Sequence, residues 1–147
     1  MKYLTLMCAF LALAVSTAIS AEKPLKFAAN AQLHDAQGKS VGTASLKQTK
    51  AGVKITLHVT GLPAGTHAFH IHDVGKCEAP DFKSAGGHFN PESKKHGLKN
   101  PEGPHAGDMP NVNVGANGKG KASVVNTRIT LAEGANSVYH EGGARRW

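Results

Sequence analysis

The 147 residues are 40% hydrophobic, 18% charged and only 5% aromatic, a balance that fits one small globular domain with a single modest core. The formal charge of +7, with His neutral, is spread over Lys singles and pairs. With no basic helix and hardly an aromatic residue to stack bases, it excludes a nucleic-acid binder and suits a solvated basic surface able to attract small anions.

At the start of the chain, Lys2 is followed by the uncharged run "YLTLMCAFLALAV" and then by the small residues "STAISA", the layout of a secretory signal peptide cleaved near Ala18 to Ala21. The expected division is a leader over 1–21 and a single domain over 22–147. The run is shorter than the ~20 apolar residues of a spanning helix, so no stable membrane span is expected after cleavage, and the mature chain is expected to be periplasmic or secreted. Cys8 lies inside the run and leaves with it. Cys77 is then a lone cysteine in an oxidising compartment, where cysteines normally pair.

Alternation begins in "LKFAANAQLHD". Leu25, Phe27, Ala29, Ala31 and Leu33 share one face and Lys26, Asn30, Gln32 and His34 the other, which predicts a strand. Ala36 to Lys39 make a turn. In "VKITLHVTG" the pattern is stricter, with Val53, Ile55, Leu57 and Val59 facing in and Lys54, Thr56, His58 and Thr60 facing out. His34 and His58 are therefore solvent-facing strand positions and not ligands.

The next strand signal is "GTHAFHIHD", which holds His67, His70 and His72. Alternation puts Phe69 and Ile71 on the core face, so His70 and His72 project together from the outer face, roughly 6–7 Å apart along the strand. From Asp73 to Met109 periodicity is lost in a stretch dense in Gly, Pro, Asn and Lys. A loop of that length is functional or disordered. It holds His88, His96 and His105, three of the nine histidines, and Asp108 follows the last of them by three residues. Two strand-like runs come later, "NVNVGANGKGKASVVN" with a Gly/Asn turn in its middle, and "ANSVYH". With no sustained helical periodicity after the leader, the fold class is an all-β antiparallel sandwich or barrel with a long functional loop.

Two imidazoles at i and i+2 on one face, feeding a loop with three more, point to metal. The three loop imidazoles and one carboxylate supply the four N/O ligands of a closed tetrahedral zinc site. Imidazole-only ligation with an open position suits copper or another borderline metal. Metal binding would also supply the free energy that orders so long a loop.

The motifs "HAFHIHDVGKC", "SAGGHFNP", "KKHG", "GPHAGDMPN" and "SVYH" together resemble, in order and spacing, the copper,zinc superoxide dismutase family over nearly all of residues 25–141. The resemblance implies a Greek-key antiparallel β-barrel, with copper held by His70, His72, His88 and His140 and zinc by His88, His96, His105 and Asp108. His88 would bridge the two metals, and His67 would belong to the framework. The implied reaction is disproportionation of superoxide into dioxygen and hydrogen peroxide, with copper alternating between oxidation states. His88 would take up and return a proton as the catalytic imidazole, and zinc, which has no redox chemistry, would be structural.

Two departures from the family pattern stand out. Ala68 stands where the family usually has Gly. After His140 the family continues with an Asp pair, an active-site Arg, a Cys that bridges to the first loop and a closing strand, whereas this chain reads "HEGGARRW". Arg145 and Arg146 sit too early to be that Arg. The resemblance thus leaves Cys77 without its expected mate and lacks the Asp that would link a copper His to a zinc His. It also leaves an open barrel edge that invites pairing with another chain, such as a homodimer partner. The expectation is a truncated family member, its ending the product of a frameshift or fragmentary reading, unstable and weakly active.

Two other classes compete. "HIHD" superficially resembles the His-x-His followed by Asp of metallo-β-lactamase zinc hydrolases, but that motif needs a further His and a larger α/β scaffold, and Val74 and the all-β pattern exclude both. An exported copper- or zinc-binding relative that kept the ligands and lost the catalytic channel is the runner-up.

Overall fold

The computed structural model describes residues 27–139 together with the backbone of His140, Gly143 and Ala144. The leader expected over 1–21, its boundary with the domain and the ending with Arg145 and Arg146 lie outside the described residues, as does the side chain of His140. Among the described residues no helix is long and apolar enough to cross a membrane.

Among the described residues eight strands form: β1 (Ala28–His34), β2 (Ser40–Thr49), β3 (Gly52–Val59), β4 (Gly65–His67), β5 (Val112–Val114), β6 (Gly120–Asn126), β7 (Tyr139–His140) and β8 (Gly143–Ala144), with a 3-10 turn at Lys83–Ala85. The first six make one antiparallel sheet in the order β1-β2-β3-β6-β5-β4, and β7 pairs with β8. Because β3 lies beside β6 instead of β4, the topology is a Greek key, as expected. The sheet curls around its core without closing among the described residues.

The strict alternation of β3 is what sets its register. Val53, Ile55, Leu57 and Val59 are 0–5% exposed, each inward side chain contributing about 1.5–3 kcal/mol on burial. They meet Leu46 and Ala44 of β2, Val112 and Val114 of β5, and Phe89, Met109, Ile129, Leu131 and Val138 from the connections. A one-residue slip against β2 or β6 would turn this whole set to solvent. Alternation also holds in β1, where Ala29 is buried while Asn30, Gln32 and His34 are exposed. Phe27, expected on the inner face, is instead 44% exposed. It precedes the first ladder residue, and only its carbonyl is held, by the Gln48 N–H.

The stretch expected to run on as a strand through "FHIH" does not. Past β4 it makes only two isolated bridges, His70 with Asp108 and His72 with His88. Its partners are the two ends of the long loop. The Ile71 N–H donates to Gly107 O, the Phe89 N–H to Ile71 O, and the Gly107 N–H to Phe89 O. The predicted inside-outside alternation survives, with Ile71 buried and Phe69 packed against the core.

Candidate metal centre

The loop 73–109 is irregular, as expected, and it is tied down by its own polar side chains. Asn90 accepts from the Lys94 N–H and donates to Lys94 O, and the Asn100 amide donates to His96 O. The loop returns to the core at Gly107. A Cβ there would overlap Ile71 O and lie 3.2 Å from the Phe89 Cβ, so only glycine lets the three backbones close up. Gly107→Ala is expected to destabilise the protein by about 1–3 kcal/mol, the range of an overpacked core, and to weaken metal binding. Urea unfolding and metal competition measure both, and wild-type values in both would refute the close-packing argument.

The returning segment places Asp108 at the centre of the site, 1% exposed. Its Oδ2 accepts the backbone N–H groups of Gly97 (2.9 Å) and His105 (3.0 Å). Around Oδ1 stand four imidazole nitrogens, the Nδ1 atoms of His88 (3.1 Å), His96 (3.2 Å), His105 (3.4 Å) and His70 (3.4 Å). The Nδ1 atoms of His88 and His105 are themselves 3.4 Å apart. With metal–ligand bonds of 2.0–2.1 Å, the edge of a tetrahedron is about 3.3–3.4 Å, close to the separations within the set His88, His96, His105 and Asp108.

One carboxylate oxygen has too few lone pairs to satisfy four imidazoles, and one nitrogen is left over. The Nδ1 of His70 is buried with no hydrogen-bond partner among the described residues, an arrangement a native fold rarely leaves without cause. A cation among these groups would satisfy it. The donor set therefore fits a metal on the structure's own terms, and the ligand atoms of His70, His88, His96 and Asp108 all lie within 4.8 Å of one another. Sequence spacing separates His70 from the loop ligands, whereas the fold draws it into the same cluster.

His88 lies in the middle. The His70 ring stacks on it at 3.9 Å and 18°, and the His72 ring meets it edge-on at 5.4 Å. Since the Nδ1 of His88 points at Asp108, its Nε2 lies across the ring and is left for another partner. His72 donates its Nδ1–H to Gly86 O at 3.0 Å, which fixes its tautomer and leaves Nε2 as a ligand atom. His67 donates from Nε2 to Pro63 O at 2.8 Å and closes a turn outside the cluster. His34 lies against Gly38 O, far from the site.

Burial lowers the pKa of His70, helped by the nearby His88, and burial likewise lowers that of His88 against the opposing pull of Asp108. For Asp108 burial pulls upward but is outweighed, first by the N–H groups of Gly97 and His105 and then by the charges of His105 and His96, which bring it down to about 2. In the metal-free protein all three shifts act in one direction. The unfolded chain takes up protons first, near 6.5 for His and 3.8 for Asp, so stability is full above about pH 6.5 and is lost progressively as pH falls. A buried carboxyl held at about 2 contributes about 2 kcal/mol of this, lost between 3.8 and about 2. Urea melts of chelator-treated protein from pH 8 to 4 check the trend, and a flat profile between 7.5 and 5 would contradict it.

Sequence reasoning missed Asn126 and Arg128, which hold the returning segment from behind. The signal was there: Asn126 is a polar residue on the core-facing phase of β6, and it is 1% exposed.

Residues 40–144 match the family model for copper/zinc superoxide dismutase (SODC). The chain belongs to the copper/zinc superoxide dismutase family. It is 52% identical to copper-zinc superoxide dismutase 1 of Aquifex aeolicus over 116 residues, 78% of this chain and 69% of that protein. It is 50% identical to superoxide dismutase 2 of the same organism over 127 residues, 85% and 74% of the two chains. Among solved structures, a SOD-like protein from Bacillus subtilis superposes with a TM-score of 0.73 at 39% identity, covering 78% of each chain. The Cu/Zn superoxide dismutase of Brucella abortus gives 0.60 at 26%, covering 82% of this chain and 96% of that one.

Proposed function

We propose that this chain is a superoxide dismutase, converting two superoxide anions and two protons into dioxygen and hydrogen peroxide. One observation carries the reading: the Nδ1 atoms of His88, His96 and His105 converge on Asp108 Oδ1, while the same His88 ring is flanked by His70 and His72. On this reading His88, His96, His105 and Asp108 hold zinc, and His70, His72 and His88, with His140, hold copper. Copper supplies a one-electron couple and zinc a fixed charge that does not change oxidation state.

The chain's own residues set the conditions for that chemistry. Asp108 anchors the zinc-side nitrogens and is itself fixed by two backbone donors. The Gly86 carbonyl presents His72 Nε2. His88, kept neutral by burial, is the group that accepts a proton at Nε2 and gives it up to the reduced product. Beside His70 and His96, a cleft of about 520 Å³ runs past Lys99 and Asn111, and its cationic side chain suits the approach of a small anion.

The test is superoxide decay with the full chain loaded with both metals, against the chelated protein. Copper-dependent acceleration is expected. Stoichiometric metal binding with no acceleration would instead mark a metal-binding relative without turnover.

Export is part of the same proposal, supported by Lys2, the apolar run and "STAISA". The protein recovered from periplasm or medium is expected to begin between about Ile19 and Glu22 on N-terminal sequencing, as cleavage near Ala18 to Ala21 requires. A start at Met1 would refute it.

A further inference from the structure

We propose that Arg128, seated by Asn126, is a positioning residue for the zinc side of the site, an inference that rests on the ligand assignment above. The segment His105–Asp108 carries two of the four zinc-side ligands on a tight turn, and three of its carbonyl oxygens accept side-chain hydrogen bonds. Each meets a side-chain donor from the end of β6. Arg128 Nη2 donates to Asp108 O at 2.6 Å and Nε to His105 O at 3.3 Å, and Asn126 Nδ2 donates to Ala106 O at 2.8 Å.

The two donors are themselves set in place. The Arg128 N–H donates to Asn126 Oδ1 at 2.9 Å, which orients the buried amide. The amide of Asn136 donates to Arg128 O at 3.0 Å and to Glu92 at 3.1 Å. A guanidinium is suited to this task because its rigid fork offers two donors in one plane, and its charge shortens the bond to Asp108 O. Fixing the carbonyls of His105 and Asp108 fixes the peptide planes next to both ligands. That aims His105 Nδ1 and Asp108 Oδ1 at a common point before metal arrives. Among the described residues the hydrogen bonds of the guanidinium go to backbone carbonyls, so Arg128 acts through the backbone.

The experiment compares zinc release to a chelator, and the visible spectrum of cobalt(II) placed in the zinc site, for wild type, Arg128→Ala, Arg128→Lys and Gln48→Ala. Gln48 is the control. It accepts from the neighbouring Thr130 hydroxyl and Leu131 N–H, and it has no hydrogen bond to a zinc-side ligand among the described residues. Arg128→Ala is expected to release zinc about 10–100-fold faster, as when a partner of a metal ligand is removed, with an altered cobalt spectrum partly restored by added guanidinium. Arg128→Lys, with a single point donor, should fall between, and it decides the matter if the Ala variant does not fold. Gln48→Ala should lose stability with unchanged release and spectrum. Wild-type release and spectrum in Arg128→Lys and Arg128→Ala, or an equal change in Gln48→Ala, would overturn the proposal. Failure of wild type to hold zinc at all would instead refute the ligand assignment.

Discussion

Replacing Asp108 by Ala is expected to abolish zinc binding and to cost the metal-free protein several kcal/mol. The carboxylate is 1% exposed, and its Oδ2 is the acceptor for the N–H groups of Gly97 and His105. Truncation leaves two part-buried donors without their acceptor, at up to about 1–3 kcal/mol each. It also removes the oxygen around which four imidazole nitrogens gather within 3.1–3.4 Å. Loss of a direct ligand should exceed the about 10–100-fold typical of a ligand's outer partners. Asp108→Asn separates the two roles. Its carbonyl oxygen can still accept the backbone donors, so much of the stability should return, while zinc binding should not. Chelator competition and urea unfolding of both variants provide the check, and an Asn variant that keeps wild-type zinc affinity would contradict the role given to the charge.

His70→Ala should behave in the opposite way, with superoxide turnover falling by more than about 100-fold and zinc binding retained. Among the described residues the Nδ1 of His70 has no hydrogen-bond partner, and its ring stacks on His88. Removing it relieves an unsatisfied buried atom while losing ring packing. These effects oppose each other, so the metal-free stability should change by only about 1 kcal/mol. A residue that matters little to the fold and decisively to turnover is one held ready for a ligand. Stopped-flow superoxide decay alongside thermal melts distinguishes the outcomes. A His70→Ala protein with unaltered turnover would remove His70 from the copper set.

The parts of the fold legible in the sequence were those set by local period. Val53, Ile55, Leu57 and Val59 declare the core face of β3 because a half-buried strand needs alternation, and all four are buried. The site residues were legible by type, since imidazoles crowded into a strand and a Gly-rich loop are the donors a borderline metal takes. What local pattern could not show was long-range pairing. "FHIH" reads as one more strand, yet the backbone partners of its Ile71 are Gly107 and Phe89, far along the chain. For the same reason the crowding of His70 onto the oxygen shared by His88, His96 and His105 appears only once both loop ends close on Ile71. Arg128 acts through backbone carbonyls, and no residue type in the ligand motifs announces such a partner.

The shared ring of His88 is the feature on which the two-metal reading depends, and one measurement addresses it directly. The metal-depleted full chain is loaded with cobalt(II) on the zinc side and then with copper(II), and the copper electron paramagnetic resonance signal is followed with zinc in place of cobalt as the reference. Two metals joined through one imidazole exchange magnetically, so the copper signal should be strong beside diamagnetic zinc and strongly attenuated beside cobalt, with about one equivalent of each metal bound. A copper signal indifferent to cobalt, or a total of one metal per chain, would contradict a site in which His88 serves both ions.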